Sequence, residues 1–128
     1  MKKILVIDDN KDITELVETM LESADYSCTK ATSGKEGLAL IQKSHASPNS
    51  RDKFDLILMD IAMPEISGLD IVKELKSKGI LSSNKIVFFT ASSITDIEIA
   101  ELKKVGVLDC MRKPFSKADL LNLVSKYA

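Results

Sequence analysis

Tryptophan is absent from the sequence, and aromatic residues make up only 5% of it. The core is therefore expected to be aliphatic, which suits a chain in which 45% of the residues are hydrophobic. The two cysteines, Cys28 and Cys110, have neither metal-ligand nor redox spacing, so no zinc or CxxC centre is predicted. The single histidine, His45, stands in a polar segment, where an imidazole is usually solvated rather than catalytic.

An excess of charge of one sign is also lacking, because the formal net charge is -1 and no Lys/Arg-rich run occurs. Direct nucleic-acid binding is therefore not expected. No apolar run approaches the ~20 residues of a membrane-spanning helix. The four apolar residues behind Met1-Lys2-Lys3 are too few for a signal peptide. We therefore expect a cytoplasmic protein without membrane contact, and the length of 128 residues predicts one domain, residues 1–128.

Short apolar runs alternate along the chain with segments of helical spacing. The runs, which predict strands one to five, are residues 4–7, 26–31, 54–59, 85–89 and 107–111. The helical stripes are residues 13/16/17/20/21, 38/41, 69/72/75, 94/97/102 and 120/123/124/127. Strands that alternate with helices require parallel crossovers and a sheet that is covered on both faces, so the fold class is α/β.

The composition of the strands predicts their order in the sheet. Runs one, three and four are almost entirely apolar, as in strands buried on both faces, whereas runs two and five mix polar and apolar residues, as edge strands do. The doubly wound, flavodoxin-like order 2-1-3-4-5 with five helices satisfies this pattern. It places Cys28 and Cys110 on opposite edges, about 19 Å apart at ~4.8 Å per strand. A disulfide needs Cα atoms within about 7 Å, so the two cysteines should not pair.

Local signals predict where several helices start and stop. A serine followed three residues later by an acid predicts a helix start at Ser33, Ser67, Ser93 and Ser116. Gly79 and Gly106 follow lysine-rich segments and predict helix stops. The polar segment 44–53 is predicted to be an exposed loop before strand three.

Three carboxylates follow strands that should be neighbours in this order. Asp8 and Asp9 follow strand one and Asp60 follows strand three, at the switch point where such sheets bind ligands. Two carboxylates about 4 Å apart repel by about 4 kcal/mol at an effective dielectric constant of 20, so a proton or a cation must compensate them. Oxygen ligands without Cys or His favour Mg²⁺. As a structural alternative, Asp9 or Asn10 caps the first helix, which would explain one acid but not the other two.

Two further strand ends carry groups that suit the same ligand. Thr90 ends strand four and Lys113 ends strand five. A hydroxyl group and an ammonium group that face a metal-loaded carboxylate suit a phosphoryl group, whose charge the cations neutralise.

With these motifs the chain resembles the receiver domain of two-component response regulators. The segments "DD" at 8–9, "LILMDIAMPEISG" around Asp60, "FFTAS" around Thr90 and "MRKPF" around Lys113 occur in the family's order. The resemblance implies a phosphorelay switch in which Asp60 accepts a phosphoryl group from a histidine kinase or a phosphotransfer protein. It also implies slow autodephosphorylation rather than the turnover of an enzyme.

The resemblance further implies a role for each site residue. Asp9 would bind Mg²⁺ directly, Asp8 mainly through water, and Asp60 and the backbone carbonyl of Ala62 would complete the protein ligands. Lys113 would pair with the phosphoryl group.

Several implied features surround this centre. Thr90 would move toward a phosphoryl oxygen, the small Ala91 would border its pocket, and the bond from Lys113 to Pro114 would be cis. Ala62 and Ser92 would flank the path of the attacking water, so substitutions there should alter the dephosphorylation rate.

The output surface departs from the family at one position. The resemblance implies that a downstream protein docks on helix four, strand five and helix five. Family members usually carry Tyr or Phe three residues before the lysine, where this chain has Cys110. Since a cysteine has no ring to turn inward, we expect this surface to respond more weakly or differently.

Three alternative hypotheses about the function require different chemistry. A haloacid-dehalogenase-type phosphohydrolase would need a second carboxylate at Ala62. A flavin binder would need a hydroxyl- and glycine-rich loop at residues 8–10. A degenerate receiver that serves only as a protein-interaction module stays open as the alternative. The chain either acts by docking to a partner or is one module of a longer protein.

Overall fold

The computed structural model describes all 128 residues as a five-stranded parallel sheet with helices on both faces. In chain order the elements are β1 (Lys3–Ile7), α1 (Lys11–Glu22), β2 (Ser27–Ala31), α2 (Gly34–Ala46), β3 (Leu56–Asp60), α3 (Gly68–Ser77), β4 (Ile86–Ala91), α4 (Asp96–Val105), β5 (Asp109–Lys113) and α5 (Lys117–Tyr127). Short 3₁₀ turns at Ser50–Asp52 and Leu81–Ser83 precede β3 and β4.

The strand order is β2-β1-β3-β4-β5 and every pairing is parallel, so the predicted topology is confirmed. All residues of β3 are buried, as are all but one each of β1 and β4, whereas β2 and β5 are partly exposed. Burial on both faces explains why the inner strands are apolar along most of their length. Cys28 and Cys110 lie on the two edge strands and are both free thiols, as predicted.

The helices cover the sheet unequally. Helices α1 and α5 bury four hydrophobic residues against one face, namely Val17, Leu21, Leu120 and Val124. Helices α2 and α3 bury Ile41, Ile71, Val72 and Leu75 against the other, but α4 has no buried residue. Three members of the predicted stripes were wrong: Leu16 is 46% exposed, Ile97 is 77% exposed, and Ile94 lies before the start of α4.

Three of the four predicted helix caps are confirmed. Ser33, Ser67 and Ser116 each accept a hydrogen bond from the backbone N–H three residues on. The predicted start at Ser93 was wrong: Thr95 caps α4 instead and forms a capping box with Glu98. The helix starts later because the chain first turns, with Ile94 N–H bonded to the carbonyl of Ala91.

Strands β4 and β5 run two residues beyond their apolar runs. Lys113 is the last residue of β5, as predicted, and Thr90 is the last but one of β4; the register pairs Thr90 with Arg112 and Ala91 with Lys113. The apolar pattern stops earlier because the carboxyl ends of these strands carry polar side chains.

The segment 44–53 was only partly a loop. Helix α2 continues to Ala46, so His45 is helical rather than in a loop. Its remainder is fixed by polar contacts: Ser47 Oγ donates to Asp52 Oδ2 at 2.6 Å, and Lys3 Nζ donates to the carbonyl of Arg51 at 3.0 Å. These contacts close the wall of an open cavity of about 710 Å³ near the start of the sheet.

Candidate functional site

The adjacent acids at the end of β1 have opposite surroundings. Asp8 is fully buried, and its Oδ1 accepts a hydrogen bond from the backbone N–H of Asn10 at 2.9 Å. Asp9 is exposed and has no hydrogen bond or ion pair within the protein. Asn10, not Asp9, caps α1 by accepting from Asp12 N–H at 2.9 Å. The cap therefore leaves the side chain of Asp9 available to a ligand.

Asp60 is the last residue of β3 and is buried, with 9% of its surface exposed. Its Oδ1 accepts a hydrogen bond from the backbone N–H of Ala62 at 3.2 Å. Gly68, at the start of α3, lies so close that an added Cβ would meet the carbonyl oxygen of Asp60 at 2.7 Å and the ring of Phe88 at 2.8 Å. The start of α3 is thus packed directly against the backbone that carries the carboxylate.

The strand order brings Asp8, Asp9 and Asp60 together. One carboxylate oxygen from each lies within 4.8 Å of the others. The Nζ atom of Lys113 is 2.6 Å from Asp8 Oδ2 and 3.7 Å from Asp60 Oδ2. One ammonium group thus bridges two of the three acids.

Burial raises the pKa of Asp60 above its ordinary value. The negative charge of Asp8 raises the pKa further, while the Ala62 N–H bond and the charge of Lys113 oppose the shift. Asp9 also raises it, as the last of these contributions. A site in which ionisation is disfavoured in this way gains from an added cation.

An aromatic pair lies beneath Lys113. Its Nζ is 5.9 Å from the ring centroid of Phe89, and that ring stacks on Phe115 with centroids 5.0 Å apart. The bond between Lys113 and Pro114 is cis, as the resemblance implied. The contact of an ammonium group with an aromatic face helps to fix the long lysine side chain above β4.

Thr90 is at the same edge but faces a different partner. It is buried, and its hydroxyl donates to the carbonyl of Met111 in β5 at 3.4 Å. Ala62, Ala91 and Ser92 are exposed around the acidic cluster. The structure therefore brings the three acids and Lys113 into contact, while the Thr90 hydroxyl bonds to the edge strand.

The donor set fits a hard divalent cation. All three clustered side chains offer oxygen, and only oxygen, as ligand atoms. Mg²⁺ prefers such donors and typically takes one or two carboxylates while it keeps several waters. Asp9, which has no protein partner, and Asp60 could hold such an ion, with Asp8 next to them.

A family model described as "Response regulator receiver domain" matches residues 4–125. The chain belongs to the response regulator receiver family. It is therefore a receiver domain of two-component signalling. Receiver domains interact with histidine kinases or phosphotransfer proteins and bind Mg²⁺ at their acidic pocket.

Similar proteins cover nearly the whole receiver domain. The response regulator SaeR of Staphylococcus aureus is 33% identical over 121 residues, which are 94% of this chain and 48% of the relative. The chain thus spans about half the length of the curated relatives it matches.

Solved structures agree with the fold. The receiver domain of the Francisella response regulator 1452 has 30% identity and a TM-score of 0.83, with 99% of this chain and 96% of that chain covered. The response regulator TrrA of Thermotoga maritima, in complex with Mg²⁺-BeF, has 30% identity and a TM-score of 0.76, with both chains fully covered.

Two features of this receiver domain escaped the sequence patterns. One is the Phe89–Phe115 stack, since the sequence around each residue predicts only an ordinary hydrophobic core position. The other is Arg112, whose guanidinium reaches the loop after β4.

The cavity near the start of the sheet, lined by Lys3, Lys43 and Phe54 among others, does not contain the acidic cluster. None of the helices combines the length and the apolar character that crossing a membrane requires.

Proposed function

We propose that Asp60 is the phosphoacceptor of this receiver domain and that residues 1–128 form one switch. The observation that carries the proposal is the contact of Lys113 with both Asp8 and Asp60, next to the free carboxylate of Asp9. Three carboxylates and one ammonium group leave two uncompensated negative charges, which one divalent cation would balance. Neutralised in this way, Asp60 can approach an anionic phosphoryl donor.

The transfer requires an attacking oxygen and a leaving nitrogen. A carboxylate oxygen of Asp60 attacks the phosphorus of a phosphohistidine on the partner, the new P–O bond replaces the P–N bond, and the imidazole leaves with the electron pair. Lys113 offsets negative charge on the transferred group, and the N–H of Ala62 holds Oδ1 of Asp60 in place.

Mg²⁺ fits as the ion at this site. Asp9 would hold it directly, Asp8 mainly through water, and Asp60 and the backbone carbonyl of Ala62 would complete the protein ligands. Bound Mg²⁺ supplies charge neutralisation for phosphoryl oxygens. Burial and full hydrogen bonding of Asp8 suit an indirect role, since its two oxygens already accept from Asn10 and Lys113.

The modified domain then signals through its surface. The acyl phosphate carries about two negative charges where the free carboxylate carried one, and Thr90 and Lys113 respond to this change. Ala91 leaves room beside the phosphoryl group, and we expect the domain to lose this group slowly by hydrolysis rather than to turn over a substrate. The face formed by α4, β5 and α5 carries the exposed side chain of Ile97, which suits a docked partner.

Intact mass after incubation with Mg²⁺ and acetyl phosphate tests the proposal. We expect a single labile adduct of about 80 Da, as an aspartyl phosphate requires. The adduct should be absent in Asp60→Asn and without Mg²⁺, and present in the control Asp25→Asn, which changes an exposed acid away from the cluster. No adduct with any donor would support a degenerate, purely protein-binding receiver. Steady hydrolysis of phosphate monoesters would support an enzyme.

A further inference from the structure

Arg112 makes the only side-chain hydrogen bonds that join β5 to the loop between β4 and α4, residues 92–95. Its Nε and Nη2 atoms donate to the carbonyl of Ile94 at 3.3 and 3.2 Å. Nη2 also donates to Oδ1 of Asp96, the first residue of α4, at 2.8 Å. One rigid guanidinium thus binds the end of this loop at two points.

The two contacts differ in weight. The side chain of Asp96 is 95% exposed, so this ion pair is strongly screened and contributes little. The paired hydrogen bonds to Ile94 fix a backbone position instead. Since α4 has no fully buried residue and its packing on the core comes from the half-buried Leu102 and Val105 in its second half, the bonds of Arg112 fix the backbone at the other end of the helix.

Strand β5 also contacts Thr90 and the acidic cluster. Along β5, the carbonyl of Met111 accepts from Thr90, Arg112 binds Ile94, and the ammonium of Lys113 contacts Asp8 and Asp60. A Thr90 hydroxyl that donates to Met111 cannot also donate its proton to a phosphoryl oxygen. Movement of Thr90 toward Asp60 would displace the loop that begins two residues later, and the Arg112 bonds oppose this displacement.

We propose that Arg112 is a positioning residue that stabilises the unmodified conformation of the β4–α4 loop and thereby sets how readily the domain switches. The proposal rests on the proposed phosphoacceptor function. Cys110, two residues earlier on β5, has no ring that could report the position of Thr90. The Lys103–Asp109 ion pair joins β5 to the last turn of α4, whereas Arg112 binds the start of α4 and the loop that follows Thr90.

Titration with beryllofluoride and Mg²⁺, which mimic the phosphoryl group, tests this role. If Arg112 favours the unmodified conformation, Arg112→Ala binds beryllofluoride about threefold to tenfold more tightly, because less of the binding energy is used to shift the population. Arg112→Lys, which keeps the charge but loses the two-atom contact, shows a smaller gain. Lys104→Ala is the matched control, since its ammonium contacts only Glu101 within α4.

A spectroscopic readout separates this role from a merely structural one. Backbone amide signals of residues 90–96 in ligand-free Arg112→Ala should move toward their positions in the beryllofluoride-bound wild type, and those in Lys104→Ala should not. General damage would lower the affinity instead of raising it. Unchanged or weaker binding by Arg112→Ala, or unmoved amide signals, would overturn the role of Arg112 alone. Failure of the wild type itself to bind beryllofluoride would overturn the phosphoacceptor proposal.

Discussion

Helices α3 and α4 lie on the same face of the sheet, have ten residues each, and both start with a capping box. Each is followed by a glycine with positive φ, Gly79 and Gly106. Their burial nevertheless differs, because α3 buries Ile71, Val72 and Leu75 while α4 buries no residue. Local start and stop signals therefore fix that a helix forms, but not how firmly the helix is attached to the core.

The difference separates the site into two halves. Asp60 lies at the end of β3, where the close approach of Gly68 attaches α3 directly to its backbone. Thr90 lies near the end of β4, where the following loop leads into the weakly packed α4. The proposed acceptor thus lies beside a firmly packed helix and Thr90 precedes a weakly packed one, an arrangement that suits the proposed conformational switch.

The largest expected effect comes from equal truncations in the two helices. Leu75→Ala removes a fully buried side chain and should lower the free energy of unfolding by about 2–5 kcal/mol. Leu102→Ala truncates a half-buried side chain of α4 and should cost about 1 kcal/mol or less. Urea unfolding with unchanged m-values measures both. Equal costs would remove the proposed contrast between the helices.

Hydrogen exchange should show the same contrast without any substitution. Backbone amides in the centre of α4 should exchange at least about tenfold faster than those of α3, because local opening of α4 exposes no buried side chain. The matched length and capping of the two helices serve as the internal control. Similar protection in both would mean that partly buried contacts hold α4 as firmly as the core holds α3.

The smallest effect is the pH dependence that Asp60 confers on stability. Its raised pKa means that the folded state binds the proton more tightly than the unfolded chain, so this stabilising contribution is complete below the ordinary value of 3.8 and is lost as pH rises through the raised pKa. Asp60→Asn should therefore raise the thermal midpoint of unfolding at neutral pH in the absence of divalent ions. The variant should also lose less stability than the wild type as the pH rises above 4.

Thr90→Val provides the counterpart in the other half of the site. It alters no charge, so it should leave the shape of the stability–pH curve unchanged. If the stability–pH curve of Asp60→Asn superimposed on that of the wild type, the prediction for Asp60 would be wrong, and the repulsion between the carboxylates would have to be relieved by another group.

The strand order could be predicted because the composition of each strand indicates whether it is buried on one face or on both. Runs that are apolar at every position must be covered on both faces, and this alone placed β1, β3 and β4 inside. The meeting of Asp8, Asp9 and Asp60 followed from that order. In contrast, the opposite burial of Asp8 and Asp9 depends on which face of the strand each side chain joins and on the partner that Lys113 provides.

Tertiary contacts decided the details that the patterns missed. Serine and threonine two residues apart offer equivalent caps, and the turn after β4 selected Thr95 over Ser93. Periodicity assigned Ile97 to a buried stripe, but α4 presents that position to solvent. Nothing in the sequence distinguished Arg112 from other polar residues of an edge strand, because its contact with a loop eighteen residues away produces no pattern in the neighbouring sequence.

The partial burial of the two thiols has a practical consequence for labelling. Burial, as the largest cause, raises the pKa of Cys28 to about 12 and that of Cys110 to about 11. At neutral pH both thiols are therefore almost entirely protonated, and far less of the reactive thiolate is present than for a free thiol. A cysteine introduced at exposed Lys104 would accept a maleimide dye ahead of both, so the displacement of α4 could be followed by fluorescence in a chain that keeps its native thiols.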